Sequence, residues 1–238
     1  MPDGTPSTVK IFADVADLDV ILRLAREPIV KGFTTNPTLM WRSGITDYEG
    51  FAQKILENVA GRPVSFEVFS DDFAEMERQA RVIASWHPNV YVKIPVMNTR
   101  AESTEELIRV LSADGVRLNV TALLSLEQVD RVAAAMVPGA LGIISIFAGR
   151  IADTGRDPVP VMRSAAMRIA PHDGLELLWA SSRELYNLVQ AEESGCDIIT
   201  LTDDLLRKVP LLGRDLEELS LETVRMFHRD ACAAGYVL

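Results

Sequence analysis

This 238-residue chain is poor in cysteine and histidine and carries fewer basic than acidic residues, and each shortage removes a class of function. The two cysteines, Cys196 and Cys232, do not form a C-x-x-C pair. That usage suits a reducing cytosol better than a disulfide framework. His87, His172 and His228 are scattered, with no H-x-H or H-E-x-x-H spacing, so metal-dependent chemistry has little support. Lys and Arg number 24 against 34 Asp and Glu, a formal net charge of −10. Such a surface repels nucleic acid and anionic membrane, and an anionic substrate needs a local basic site to overcome it. No run approaches the ~18 apolar residues of a membrane span. The Pro-, Gly-, Ser- and Thr-rich stretch 1–8 lacks the apolar core of a signal peptide and reads as a flexible tail. The expected location is the cytoplasm.

What is present is alternation. Short β-rich runs take turns with longer segments of helical period along the chain. Strands are expected at Val9–Ala13, Gly32–Thr34, Val64–Val68, Val90–Ile94, Val116–Thr121, Leu141–Phe147, Leu175–Ala180 and Asp197–Leu201. Helices are expected between them, the one after the seventh strand running from Arg183 to Glu193, with Asp17, Asp71 or Asp72, and Ser125 as N-caps. The Asp203-Asp204 pair also reads as a helix N-cap. A last helix from about Leu216 to Ala234 places Leu216, Leu219, Val224, Phe227 and Ala231 roughly on one face. It could cover the barrel or meet a neighbour.

Parallel βαβ units can form an open doubly wound sheet or a closed barrel. Eight repeats favour the barrel, as does Phe12-Ala13-Asp14-Val15-Ala16-Asp17 where an open nucleotide-binding sheet carries its glycine fingerprint. The expectation is one α/β domain over residues 9–238, a single (β/α)8 TIM barrel with an extra C-terminal helix. Barrels of this kind place their chemistry at the C-terminal ends of the strands.

Those ends carry Asp14, Thr34, Asn36, Glu67, Lys93, Asn119, Thr121, Ser145 and Ser181. Lys93 is the sharpest signal, because Val90-Tyr91-Val92-Lys93-Ile94-Pro95 is otherwise a buried strand. Burying an ammonium is costly unless it is paired or gives up its proton. A neutral amine is the form that attacks a ketone carbonyl. Lys93 is therefore either an imine-forming nucleophile or the partner of Glu67 or Asp14 in an ion pair. The two carboxylates suit acid/base steps, or that pairing alone. Asn36 and Asn119 offer the donors and acceptors that sugar hydroxyls need, although Asn36 could merely shape the turn before Pro37. Arg150 and Arg183 follow the sixth and seventh strands, where barrels often hold phosphate. Surface salt bridging is the alternative for each arginine, with Asp153 and Asp157 close to Arg150 in sequence.

These residues resemble the transaldolases, specifically the short branch that includes the bacterial fructose-6-phosphate aldolases. The matches run in order along nearly the whole chain: Phe12-Ala13-Asp14, Gly32-Phe33-Thr34-Thr35-Asn36-Pro37-Thr38, Val64-Ser65-Phe66-Glu67-Val68 and Val92-Lys93-Ile94-Pro95. They continue with Leu118-Asn119-Val120-Thr121-Ala122, Ile144-Ser145-Ile146-Phe147-Ala148-Gly149-Arg150 and Ala180-Ser181-Ser182-Arg183.

The resemblance implies cofactor-free class I aldol chemistry on sugar phosphates. It places the Schiff base on Lys93, the general acid/base on Asp14, and a water-mediated carboxylate on Glu67 with Thr121. Asn36, Asn119 and Ser145 fall on the residues holding a dihydroxyacetone unit, with Thr34 in support. Arg150, Ser181 and Arg183 fall on the phosphate site. The aldolase branch typically has Gln at the position of Glu67 and Tyr at that of Phe147, so this chain looks like a transaldolase. The alternatives are an aldolase that releases free dihydroxyacetone and a non-catalytic sugar-phosphate-binding barrel. Ile146 stands where the family usually has proline, a departure that bears on the acceptor pocket. The short branch commonly forms homo-oligomers, often decamers, and the resemblance extends that expectation here.

Overall fold

The computed structural model describes residues 8–237. Residues 1–7 of the expected tail lie outside that range, and Thr8 donates its backbone N–H and its hydroxyl to Glu192. The strands are β1 (Lys10–Asp14), β2 (Val30–Thr34), β3 (Val64–Glu67), β4 (Val90–Pro95), β5 (Leu118–Leu123), β6 (Gly142–Ile146), β7 (Leu175–Trp179) and β8 (Ile198–Leu201). They close into a parallel barrel in sequence order, with β8 pairing back onto β1. The expected closed (β/α)8 barrel is therefore correct. Among the described residues no helix is long and apolar enough to cross a membrane.

The helices are α1 (Leu18–Leu24), α2 (Pro37–Arg42), α3 (Tyr48–Leu56), α4 (Phe73–Ser85), α5 (Glu105–Ala113), α6 (Leu126–Ala135), α7 (Ala148–Asp153), α8 (Val159–Ile169), α9 (Tyr186–Glu193), α10 (Asp203–Leu206) and α11 (Leu216–Ala234). Asp17 and Asp72 cap α1 and α4, each accepting from a backbone N–H in the first turn. Ser125 and Gln128 form a reciprocal capping box on α6, an arrangement whose loss costs about 1 kcal/mol. At α10 the expectation needs correction. Thr202 holds the cap position, while Asp203 lies inside the first turn and pairs with Arg23 and Arg207.

Strand alternation sends successive side chains to opposite sides of the barrel wall. One set, including Ile11, Ala13, Phe66, Val92, Ile94, Ile144, Trp179 and Ile199, is buried under the helices. The other set fills the lumen: Phe12, Tyr91, Ile143, Leu178 and Ile198 form a separate apolar cluster. Gly32 makes room for it, since a Cβ there would sit 2.6 Å from the Phe12 ring. This plug is the floor of whatever lies above it at the C-terminal mouth.

Helix α11 buries none of its 19 residues. It does not cover the barrel, and Leu216, Leu221, Val224 and Phe227 remain exposed along it.

Candidate active site

Register places the polar residues above the plug at one level. Glu67 pairs with Lys93, and Lys93 with Asn119, across three adjacent strands. Asp14 pairs with Thr34 in the same way. Parity then turns all of these side chains into the lumen.

Lys93 is buried, with its side chain 9% exposed. Its Nζ donates to the Thr35 carbonyl at 2.9 Å and lies 3.1 Å from Glu67 Oε2. Of the two carboxylates considered from sequence, Glu67 is the direct partner. Asp14 stands apart and accepts from the Thr34 hydroxyl at 2.8 Å. Burial pushes the Asp14 carboxyl above its usual range, and the charge of Lys93 and the Thr34 hydrogen bond only partly offset this. A carboxyl shifted in that direction is suited to exchanging a proton with substrate.

A second set of polar side chains spans the lumen beside Lys93. Ser145 Oγ donates to Asn119 Oδ1 at 2.6 Å, and Asn119 Nδ2 donates to Ser65 Oγ at 3.0 Å. All three residues are buried, so this chain of bonds holds the Asn119 amide in one orientation.

Thr121 lies two residues further along β5. Its hydroxyl is buried and makes no hydrogen bond within the protein, so it has capacity for a water or a substrate oxygen. Ala122 beside it has φ +65°, and the β5–β6 register shifts between Val120 and Leu123. A non-glycine residue in this region costs roughly 1–3 kcal/mol, and such strain concentrates at working sites.

The rim over β6 and β7 carries two arginines, Arg150 and Arg183. Phe147 packs on the lumen plug, and the Arg150 guanidinium carbon lies 5.3 Å from its ring centroid. Arg183 does not open helix α9 as expected from sequence. It sits in the preceding loop, where Asn187 Oδ1 accepts from the N–H groups of Arg183 and Glu184. Its guanidinium meets Asp153 through both Nε and Nη2. Asp153 therefore pairs with Arg183 rather than with Arg150, and Asp157 instead accepts from the Val159 N–H. Ser181, at φ +65°, directs the chain into this loop. Gly149 must be glycine, because a Cβ there would fall 1.6 Å from the Ser181 carbonyl oxygen.

Asn36 behaves differently from its neighbours. Its Oδ1 accepts from Leu39 N–H at 2.9 Å and caps α2, leaving its Nδ2 as the group free to serve a ligand. Ile146 is fully buried in the shell beneath the helices, on the opposite side of the wall from the lumen. Any influence it has on an acceptor pocket passes through the backbone of β6.

Three contributors were not legible as site residues. Ser65 had a signal, since it stands two positions before Glu67 in an apolar strand. The Thr35 carbonyl and the Tyr48 hydroxyl had none, because their contacts involve backbone atoms distant in sequence.

Residues 11–236 match the family described as Transaldolase/Fructose-6-phosphate aldolase. A probable transaldolase of Dehalococcoides mccartyi is 36% identical over 206 residues, covering 84% of this chain and 90% of the relative. Probable transaldolase 2 of Listeria monocytogenes is 34% identical, covering 88% and 93%. Among solved structures, a mandelate oxidase variant superposes with a TM-score of 0.56 at 17% identity, covering 84% of this chain and 67% of that one. That last likeness concerns the fold alone.

Proposed function

The chain belongs to the transaldolase/fructose-6-phosphate aldolase family, and from that premise we propose that it acts as a transaldolase. It transfers a dihydroxyacetone unit from a ketose phosphate, such as fructose 6-phosphate or sedoheptulose 7-phosphate, to an aldose phosphate. The observation that carries this reading is Lys93, a buried lumen amine held between Glu67 and the Thr35 carbonyl.

In the proposed sequence, neutral Lys93 Nζ attacks C2 of the ketose. Glu67, through a water shared with Thr121, supplies the proton that lets hydroxide leave the carbinolamine as water. The resulting iminium draws electrons toward nitrogen. Asp14 takes the proton of the C4 hydroxyl, the C3–C4 bond breaks, and its electron pair enters the enamine. An aldose phosphate departs. A second aldose phosphate then accepts the enamine carbon at its aldehyde, Asp14 returns the proton, and water releases the new ketose from Lys93. Asn119, Ser145 and Asn36 Nδ2 face the hydroxyls of the bound unit, with Thr34 aligning Asp14.

Arg150, Ser181 and Arg183 hold the phosphate in this reading. Asp153 already orients the Arg183 fork, which leaves fewer conformations to lose on binding. Arg183→Ala should raise KM for phosphorylated donors by about tenfold or more and leave KM for free dihydroxyacetone nearly unchanged. Steady-state kinetics on the two donors checks this, and equal rises would remove Arg183 from the phosphate site.

Transfer rather than release depends on keeping water from the enamine. Phe147 presents an apolar ring at the β6 rim and gives water no hydrogen-bonding foothold. A hydroxyl there could hold a water or assist protonation of the enamine carbon. A tenfold change in partition needs only about 1.4 kcal/mol between competing barriers. Phe147→Tyr should therefore increase acceptor-independent release of dihydroxyacetone about tenfold and reduce transfer to erythrose 4-phosphate. A wild type that cleaves fructose 6-phosphate equally fast with and without acceptor would instead be an aldolase. The exposed face of α11 supports a homo-oligomer in which this helix meets a neighbouring copy.

A further inference from the structure

Strands β2 and β3 part early. Their last backbone bond runs from Thr35 N–H to the Ser65 carbonyl, after which Asn36-Pro37 turns the chain into α2. In a regular parallel ladder the next bond would run from Glu67 N–H to the Thr35 carbonyl. Neither group makes that bond. Glu67 N–H donates to the Tyr48 hydroxyl at 2.9 Å, and the same hydroxyl donates to the Glu67 carbonyl at 2.8 Å. The Thr35 carbonyl, spared from the ladder, accepts Lys93 Nζ.

We propose that Tyr48 is a positioning residue for the Lys93 amine, fixing Glu67 and releasing the Thr35 carbonyl to hold Nζ. This rests on the reading of Lys93 as the imine-forming group. Tyr48 is the first residue of α3, so one phenol stands in for a missing stretch of strand. Its ring is held by Phe66, Phe69 and Trp86, with centroids 6.3, 5.7 and 5.8 Å away. Only a neutral phenol can donate and accept at once, and burial pushes the Tyr48 hydroxyl above its usual range, which preserves both bonds. Glu67, whose backbone is gripped on this side, presents its carboxylate to Lys93 from a strand only four residues long.

Tyr48→Phe keeps the ring and removes both hydrogen bonds. Glu67 N–H is then free to take the Thr35 carbonyl away from Lys93. Three quantities are compared in wild type, Tyr48→Phe and Trp86→Phe: kcat, KM, and the single-turnover rate at which borohydride-trappable imine accumulates from fructose 6-phosphate. Trp86→Phe loosens the same aromatic cluster without touching the hydroxyl. The expected result is a fall of about tenfold or more in kcat and in imine formation for Tyr48→Phe, with KM nearly unchanged. Trp86→Phe should retain wild-type kcat well below its melting temperature. Wild-type rates in Tyr48→Phe, or equal losses in both variants, would overturn the proposal and leave Tyr48 a packing residue. Absence of trappable imine in an active wild type would overturn the underlying reading of Lys93 instead.

Discussion

A Lys93→Met enzyme is expected to transfer no dihydroxyacetone unit at a measurable rate while folding as the wild type does. Met matches the length of the lysine stem and suits the apolar strand around it, so packing beneath the helices is undisturbed. What disappears is, among the described residues, the only amine placed at the level of Glu67 and Asn119 by the strand register. Loss of a covalent nucleophile typically removes several orders of magnitude, so a drop of at least about ten-thousand-fold is anticipated. Coupled assay of ketose-phosphate transfer measures it, and near-ultraviolet circular dichroism checks that the fold survives. Residual activity within about tenfold of wild type would show that the chemistry does not pass through Lys93.

The second large effect belongs to Asp14, and it has opposite signs for activity and stability. Asp14→Asn removes the proposed base for the C4 hydroxyl, a loss of about 100- to 10,000-fold in kcat. The amide can still accept from Thr34, so the local geometry has a replacement. Folded-state burial raises the carboxyl above its ordinary value, so the folded protein binds this proton more tightly than the unfolded chain. Stability from this group therefore falls as pH rises from the unfolded value through the folded one, and the full cost persists above that window. At neutral pH the wild type bears that cost and the Asn variant does not. Asp14→Asn should melt at a higher temperature at pH 7, and the difference should close as pH falls below the ordinary aspartate range. Thermal melts across pH measure this. A lower melting temperature at pH 7 would mean that the attraction between Lys93 and Asp14 outweighs the desolvation.

Much of this site was legible because period-two alternation in a barrel converts sequence position directly into direction. Asp14, Glu67, Lys93, Asn119, Thr121 and Ser145 were each conspicuous as polar residues in apolar strands, and parity turns all of them into the lumen. The errors have physical causes. Helices α2 and α7 have six residues each, too few to display a 3.6-residue period, although Asn36-Pro37 is a sound N-terminal signal for the first. The fifth strand was expected from Val116 but begins at Leu118. Val116 instead closes the end of α5, its N–H bonding to the Leu111 carbonyl after Gly115 at φ +78°. An apolar residue after such a glycine reads equally well as strand or as helix terminus. Arg183 was expected to open a helix, but Asn187 captures the N–H groups of Arg183 and Glu184 and holds them in a loop.

The most direct test of the imine is chemical. Active wild-type enzyme is treated with borohydride in the presence of fructose 6-phosphate, and its peptides are then weighed by mass spectrometry. The expected result is a dihydroxyacetone-derived mass on the peptide carrying Lys93, loss of activity in step with labelling, and no such mass in Lys93→Met. An active wild type that yields no adduct, or one whose adduct lies on a different lysine, would contradict it.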